Sequence, residues 1–424
     1  MGIELGAKNL YKAYGVPSLD LTFADKKSLV DRISGNNLIT FTRVMTGASV
    51  ATYVGADGLI KTAGNNVPRF DHNPTTGESL GMLVEEARTN LITYSQAFNN
   101  TNYSIGYDGG GFTENATVAP DGTLTASKLT RNTGTSGAFW GKYNRQSIPV
   151  TNGTAYTLSC FLKAAEITTV QLYGDVRDGG GLGFSAAFTL TGSGSYVLSS
   201  GTSAQISSAG NGWYRCSVTG TSASTDDEEP ALLVFGTGAS GDGFFAWGFQ
   251  LEAGSFPTSY IPTTSATVTR AADVASITGT NFSSWYNQSE GTLFAQASLN
   301  FSLSTSSVFP SIYEIGGYPN RLWMLYLNGT VNHLTIGSDT HTRNLGTFTS
   351  SPQSFKVAQA LSNTSLTYSA SKDGAAPLTG SLFNAVTGLS AISIGPNVGA
   401  TKHIARLTFY PVRLPDATLQ SLTQ

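Results

Sequence analysis

The sequence predicts an all-β protein, a small N-terminal block followed by two antiparallel β-sandwich, or jelly-roll, domains. Apolar residues recur with a period of two along most of the chain, as in TAYTLSCFLKA (154–164), WYRCSVTGTS (213–222), GTLFAQASLNF (291–301), LWMLYLNGTV (322–331) and HIARLTFYPVRL (403–414). Clusters of Gly, Asn, Ser and Pro split these runs into short segments, the pattern of hairpin-linked strands rather than of crossover helices. Helix-like stretches are few and short, at 24–33, 83–92 and 416–423.

Taken in order, residues 1–88 carry most of the helix-like signal and two turn signals, VGADGLI around Asp57-Gly58 and DHNPTTGESL around Pro74 to Gly77. Residues 89–268 hold a first run of strands that ends in FFAWGFQLEAGSFPTSYIPTT (244–264). There Phe245, Trp247, Phe249 and Leu251 alternate as the inward face of a closing strand, and Pro257 and Pro262 stop it from recruiting a neighbour. The Thr/Ser-rich TTSATVTRAAD that follows reads as a boundary, and residues 269–424 hold the second run. Trp213 and Trp247 sit in regular alternation and are assigned to the core.

With 424 residues the chain can bury sizeable cores without a metal or disulfide framework. Charged residues make up 12% against roughly 25% in an ordinary soluble domain, and 48 glycines accompany abundant Ser, Thr and Asn, so the surface is mostly neutral hydroxyl and amide. A net charge of −3 with no Lys/Arg cluster gives no phosphate-neutralising footprint, which disfavours nucleic acid as a partner. No window reaches the ~20 apolar residues of a membrane span, and the start MGIELGAKNLYKAYGVP lacks a signal-peptide apolar core, so the expectation is a protein made in the cytoplasm with no membrane insertion. The two cysteines, Cys160 and Cys216, read as small core hydrophobes that strand pairing could bring together.

Three stretches carry a family resemblance. Residues 39–100, with VPRFDHNPTTGESLGMLVEEARTNLI the most distinctive string, resemble a module recurring in virion structural proteins of tailed bacteriophages. Around Val44 to Gly47 this chain has extra residues relative to that module. LEAGSFPTSYIPT, after GNGWYRCSVTGT, resembles the last strands of carbohydrate-binding-module-like jelly rolls, and AISIGPNVGATKHIARLTFYPVRLPDATLQSLT (391–423) is similar to the closing strand and helix of concanavalin A-like or laminin G-like sandwiches. The resemblance implies a virion protein of tail-fibre, tail-tip or decoration type. It implies other virion proteins as partners of the N-terminal block and a homo-oligomer, a trimer for fibre proteins, although no heptads fix a number.

Sugar binding is the leading chemistry, because aromatic faces pack on pyranose C–H groups while planar amides and carboxylates bind hydroxyls. Candidates are Trp140, Tyr143 and Tyr173 with Arg145 and Asp175 in the first sandwich, and Trp323, Tyr326 and Asn328 in the second. Clustered oxygens make Asp226, Asp227 and Glu228 of TDDEEP, with Asp175 or Asp178, the candidates for a structural calcium ion, the only cofactor considered, against a solvated acidic loop. The histidines His72, His333, His341 and His403 lack helical zinc spacing, although His333 and His341 flank a hairpin and could converge. No nucleophile elbow, P-loop or dinucleotide fingerprint occurs, and paired carboxylates are scarce, so the expectation is a non-enzymatic virion protein that presents its sandwiches to a host-surface glycan. Capsid decoration is the alternative, and glycan depolymerisation the less favoured one.

Overall fold

The computed structural model describes residues 15–46, 49–104, 111–131, 138–143, 148–174, 183–223, 225–228, 230–234, 239–300, 311–317, 320–328, 331–337, 345–346, 353–382, 384–395 and 399–424. The fold is all-β, built from antiparallel sheets packed as sandwiches. Each predicted period-two run is a strand: Ala155–Ala164, Trp213–Thr221, Glu290–Asn300, Asn320–Asn328 and Thr401–Tyr410. Both predicted turns join paired strands. Gly58 (φ 76°) closes Ala51–Val54 onto Ile60–Ala63, and Gly77 (φ 70°) closes Arg69–His72 onto Ser79–Val84.

The C-terminal sandwich has a seven-strand path, Leu378–Ser381, Thr367–Lys372, Gln353–Ser362, Glu290–Asn300, Thr401–Tyr410, Ser79–Val84 and Arg69–His72, with Leu19–Leu21 also paired to Thr401–Tyr410. The facing sheet runs Thr40–Thr42, Val274–Thr278, Ala391–Ile394, Tyr313–Gly317, Asn320–Asn328, Val331–Gly337. Alternate residues of the two faces, including Leu293, Val357, Ile404 and Leu407 from one and Ile277, Ile315 and Ile392 from the other, make one core. The closing helix Asp416–Leu422 packs Leu419 and Leu422 on the outer face, against Phe294, Ala358 and Tyr410.

Strands between residues 19 and 84 are woven into this sandwich. Leu19–Leu21 pairs with residues 407–409, Ser79–Val84 with 402–404, and Thr40–Thr42 with 274–276. Strand pairing therefore crosses both boundaries drawn from the sequence, since Arg88–Asn90 also pairs with Val268–Arg270. Leu19, Leu21, Met82 and Val84 are fully buried. At about 1.5–3 kcal/mol each, the four contribute on the order of 6–12 kcal/mol of apolar burial across the junction. The close approach there depends on Gly81 (φ 99°), where a Cβ would stand 2.2 Å from Ile404 O.

The 83–92 stretch, helix-like in sequence, is instead the end of strand Ser79–Val84 and the strand Arg88–Asn90. Its Glu, Ala and Arg side chains lose little rotamer freedom in a helix, a weak preference that tertiary context can override. Here Glu85 and Arg88 are buried among partners on other strands, and tertiary pairing overrides propensity.

The jelly roll between residues 90 and 268 pairs a sheet ordered Ser203–Ser208, Trp213–Thr221, Ala155–Ala164, Gly243–Ala253, Ala126–Thr130, Gly111–Thr117 with one ordered Ser195–Ser200, Phe184–Thr189, Thr169–Gly174, Ala231–Val234, Ala138–Tyr143, Tyr103–Ser104. The strand Gly243–Ala253 corrects one expectation. Gly248 (φ 66°) sits where its register with Ala155–Ala164 shifts, a bulge that flips the alternation. Phe244, Ala246, Phe249 and Leu251 face the core, while Phe245 and Trp247 face outward. Trp213 and Trp247 are buried, but in a second cluster on the outer face with Phe161 and Tyr260. Their indole nitrogens donate to Val118 O (3.0 Å) and Thr125 Oγ1 (3.1 Å).

Cys160 and Cys216 are register partners on adjacent strands, and both are buried free thiols. Burial raises the Cys160 pKa to about 12, so its thiol stays protonated.

Candidate functional site

The segment that follows strand Gly243–Ala253 and leads into TTSATVTRAAD is a buried strap. Phe256, Tyr260 and Ile261 are enclosed, and its polar groups are tied on both sides. Glu252 accepts from Thr258 N (2.8 Å) and Thr258 Oγ1 (2.7 Å), Gln250 Oε1 from Ile261 N (2.7 Å), and Ser95 Oγ meets Tyr260 Oη at 2.6 Å. Asn90 reaches from the far side to Ile261 O (2.9 Å) and Phe249 O (3.2 Å).

Beneath the strap, the charges of the distinctive string converge. Glu85 Oε1 accepts from Ser259 N (2.8 Å) and Thr401 Oγ1 (3.1 Å). Its Oε2 accepts from Arg69 Nη1 (2.8 Å), Ser259 Oγ (2.6 Å) and Arg270 Nη1. Asp273 Oδ1 pairs with Arg43 Nη1 (2.7 Å), and its Oδ2 with Arg69 Nη2 (2.5 Å) and Glu85 N (2.9 Å). All five side chains are essentially out of contact with solvent. Burial opposes ionisation of Glu85, but the guanidiniums of Arg270 and Arg69 outweigh it and hold the carboxyl far below the ordinary range. Beside this hub, burial pushes Lys402 down to about 7, against Glu86 and Asp273, which favour its charge.

The hub forms one wall of a cleft of about 490 Å3, bordered by the N-terminal hairpins (residues 52–85), the Ser203–Ser208 and Trp213–Thr221 strands, the strap, and Asn300 and Thr401 of the C-terminal sandwich. This volume falls within the roughly 300–1,000 Å3 of small-molecule sites. Half-exposed Tyr53, Pro74 and Pro257 supply apolar faces. Asn73, Thr75, Ser207, Ser208, Gln205 and Asn300 supply amides and hydroxyls. The rim is held in place locally. Asn73 Oδ1 caps Thr75 N (2.9 Å) and Thr76 N (3.1 Å), Thr75 Oγ1 meets Ser208 Oγ at 2.9 Å, and Gln205 Nε2 donates to Asn300 Oδ1 (3.1 Å).

Two carboxylates border the cleft and both are committed. Glu85 is saturated as above. Asp71 accepts from Val54 N at Oδ1 (2.6 Å) and meets His403 Nε2 at Oδ2 (2.7 Å). His72 Nδ1 lies 3.0 Å from Val54 O, so that nitrogen carries a proton, and its buried Nε2 has no partner among the described residues.

The predicted sugar-binding residues that are described lie elsewhere. Trp140 and Tyr143 are on strand Ala138–Tyr143, with Trp140 opposite Leu232 and Tyr143 opposite Tyr103. Tyr173 is on the same sheet, opposite Ala231. Trp323, Tyr326 and Asn328 share strand Asn320–Asn328 in the other sandwich, with Tyr326 opposite His333. The two sets are therefore on different sandwiches. Arg145, Asp175, Asp178 and His341 lie outside the described residues. Asp226, Asp227 and Glu228 form a short strand paired with Ile148–Val150. Among the described residues no three His, Cys, Asp or Glu side chains are grouped to hold a metal, and no helix is long and apolar enough to cross a membrane. Sequence reasoning missed Tyr53, Arg215 and the strap. A signal existed for the hub behind the strap, because in so uncharged a chain the strings VEEAR and TRAAD, which hold Glu85, Arg270 and Asp273, concentrate charge.

Neither the protein-family models nor the curated proteins give a match to this sequence. Among solved structures, the carbohydrate-binding module of the Ruminococcus gnavus IT-sialidase bound to alpha2,3 sialyllactose aligns at 17% identity and a TM-score of 0.25, over 32% of this chain and 84% of that one. The NanB sialidase of Streptococcus pneumoniae aligns at 10% identity and TM-score 0.27, over 35% and 26%. The Trypanosoma rangeli sialidase in complex with sialic acid aligns at 12% identity and TM-score 0.25, over 70% and 60%. Likenesses this distant do not transfer a site or a ligand to this chain.

Proposed function

We propose that the protein is a non-catalytic glycan adhesin, with the cleft between its hairpins and its sandwiches as the binding site. The observation that carries this reading is the chemistry of the cleft: accessible apolar faces at Tyr53, Pro74 and Pro257 ringed by neutral amides and hydroxyls. Saccharides present the same alternation of C–H faces and hydroxyls. The commitment of Asp71 and Glu85 to fixed partners supports adhesion over hydrolysis, which needs one carboxyl free to donate a proton and another free to act as base or nucleophile.

The biological setting rests on the sequence resemblance. It is a structural protein of a tailed-phage virion, of tail-fibre or tail-tip type, with capsid decoration as the second reading and homo-oligomerisation as part of either. Glycan-array binding by the purified chain tests the adhesin reading, with Ser207→Trp, a change at an exposed cleft position, as the blocking control. Binding lost in that variant supports the reading, and binding retained contradicts it. Release of reducing ends from the bound glycan would replace adhesion by hydrolysis. Electron microscopy of virions labelled for this protein separates tail from capsid, and absence from particles overturns both.

A further inference from the structure

We infer that the cleft takes an acidic saccharide, whose carboxylate seats on Arg215. This deepens, and rests on, the reading of the cleft as a glycan site. Arg215 lies on strand Trp213–Thr221 and borders the cleft. Its guanidinium stacks on Phe161, 4.5 Å from the ring centroid, and Phe161 is itself fixed edge-on to Tyr260. Nη2 donates to Ser159 Oγ (2.7 Å) and to Thr258 O (3.5 Å). Nε is buried without a partner, and Nη1 has no acceptor among the described residues.

No carboxylate lies within ion-pair distance of this guanidinium among the described residues. Glu252, the acidic group that most favours its charge, is occupied by Gln250 and Thr258. This half-buried guanidinium, clamped by stacking and one firm hydrogen bond, keeps Nη1 as a donor from which a ligand carboxylate can accept a charge-assisted hydrogen bond. A neutral ligand would leave this cationic donor without a charge partner.

The test is calorimetric titration of the full chain with trigalacturonate and with 3′-sialyllactose, each against its carboxyl-free counterpart, galactotriose and lactose. At least one acidic member should bind about tenfold or more tighter than its counterpart. Arg215→Gln should bring the pair to within about twofold, with Arg215→Lys between, because lysine keeps the charge and loses the planar group stacked on Phe161. Raising salt from about 50 to about 500 mM should weaken the acidic member selectively in the unaltered protein, a readout that stands even if the Arg215 variants fold poorly. Equal affinity of acidic and neutral members, both blocked by Ser207→Trp, overturns the acidic assignment and leaves the cleft reading intact. A preference insensitive to salt, or kept in folded Arg215→Gln, also overturns it. Binding of either kind that survives Ser207→Trp, or no binding of any probe, overturns the cleft reading as well.

Discussion

Asp273→Asn should be among the most damaging conservative substitutions in the protein. The Asp273 carboxylate has no solvent exposure and holds Arg43 Nη1 at 2.7 Å, Arg69 Nη2 at 2.5 Å and Glu85 N at 2.9 Å. The amide keeps the shape but leaves three buried guanidiniums facing Glu85 alone. Removing one partner of a buried ion pair costs about 3–5 kcal/mol, because the remaining charge can be neither resolvated nor matched. At about 2–4 °C per kcal/mol for a cooperative unit of 150–250 residues, the melting temperature falls by about 6–20 °C. Thermal unfolding followed by tryptophan fluorescence reads this, and limited proteolysis should expose the N-terminal strands first. Arg43→Met added to Asp273→Asn removes one of the stranded charges and should recover about 1–3 kcal/mol. A single-variant loss below about 1 kcal/mol, or strict additivity in the double variant, would refute the claim that the hub ties the N-terminal strands to both sandwiches.

Other outcomes follow from the same structure. Gly81→Ala places a Cβ 2.2 Å from Ile404 O at a left-handed backbone position, and should cost about 2–3 kcal/mol by separating Ser79–Val84 from Thr401–Tyr410, measurable by urea unfolding. Lys402 has a folded pKa lowered to about 7 from an ordinary 10.5, so the unfolded chain holds the extra proton between those values and stability rises with pH across that window. Lys402→Met should flatten that rise in unfolding curves taken from pH 7 to 10. For Glu85 the sign is the same but the window lies in acid: its depressed pKa gives stability that is full above the ordinary value of 4.5 and is lost as pH falls toward the folded value, so Glu85→Gln should reduce the acid sensitivity of unfolding along with overall stability. Cys160 and Cys216 should resist a thiol reagent in the native protein and both react in denaturant, whereas a single or absent reactive thiol after unfolding would indicate a disulfide.

The strands were legible because their alternation is local. TAYTLSCFLKA and HIARLTFYPVRL face a core on one side, and the period of two records it. The turns at Gly58 and Gly77 were legible for the same reason. Gly248 was not, because one glycine in an alternating run does not say whether a bulge will reverse the faces on either side of it. The stretch around Glu85 misled because Glu, Ala and Arg have helix-favouring side chains, and only the distant partners Ser259, Arg270 and Asp273 explain why the backbone is extended. Pairing of Leu19–Leu21 and Ser79–Val84 with a strand more than 300 residues away leaves no periodic trace at all. The cleft shares that difficulty. Its lining comes from three parts of the chain, and Pro257 and Tyr260, which punctuate a strand end in the sequence, become part of its border.

The most direct measurement is a crystal structure of the protein with the tightest-binding saccharide from the array. The account predicts density bordered by Tyr53, Pro74, Pro257 and Ser207, with a carboxylate on Arg215. Saccharide density on the Tyr173 face of the jelly roll or along strand Asn320–Asn328, with the cleft holding none, would contradict it.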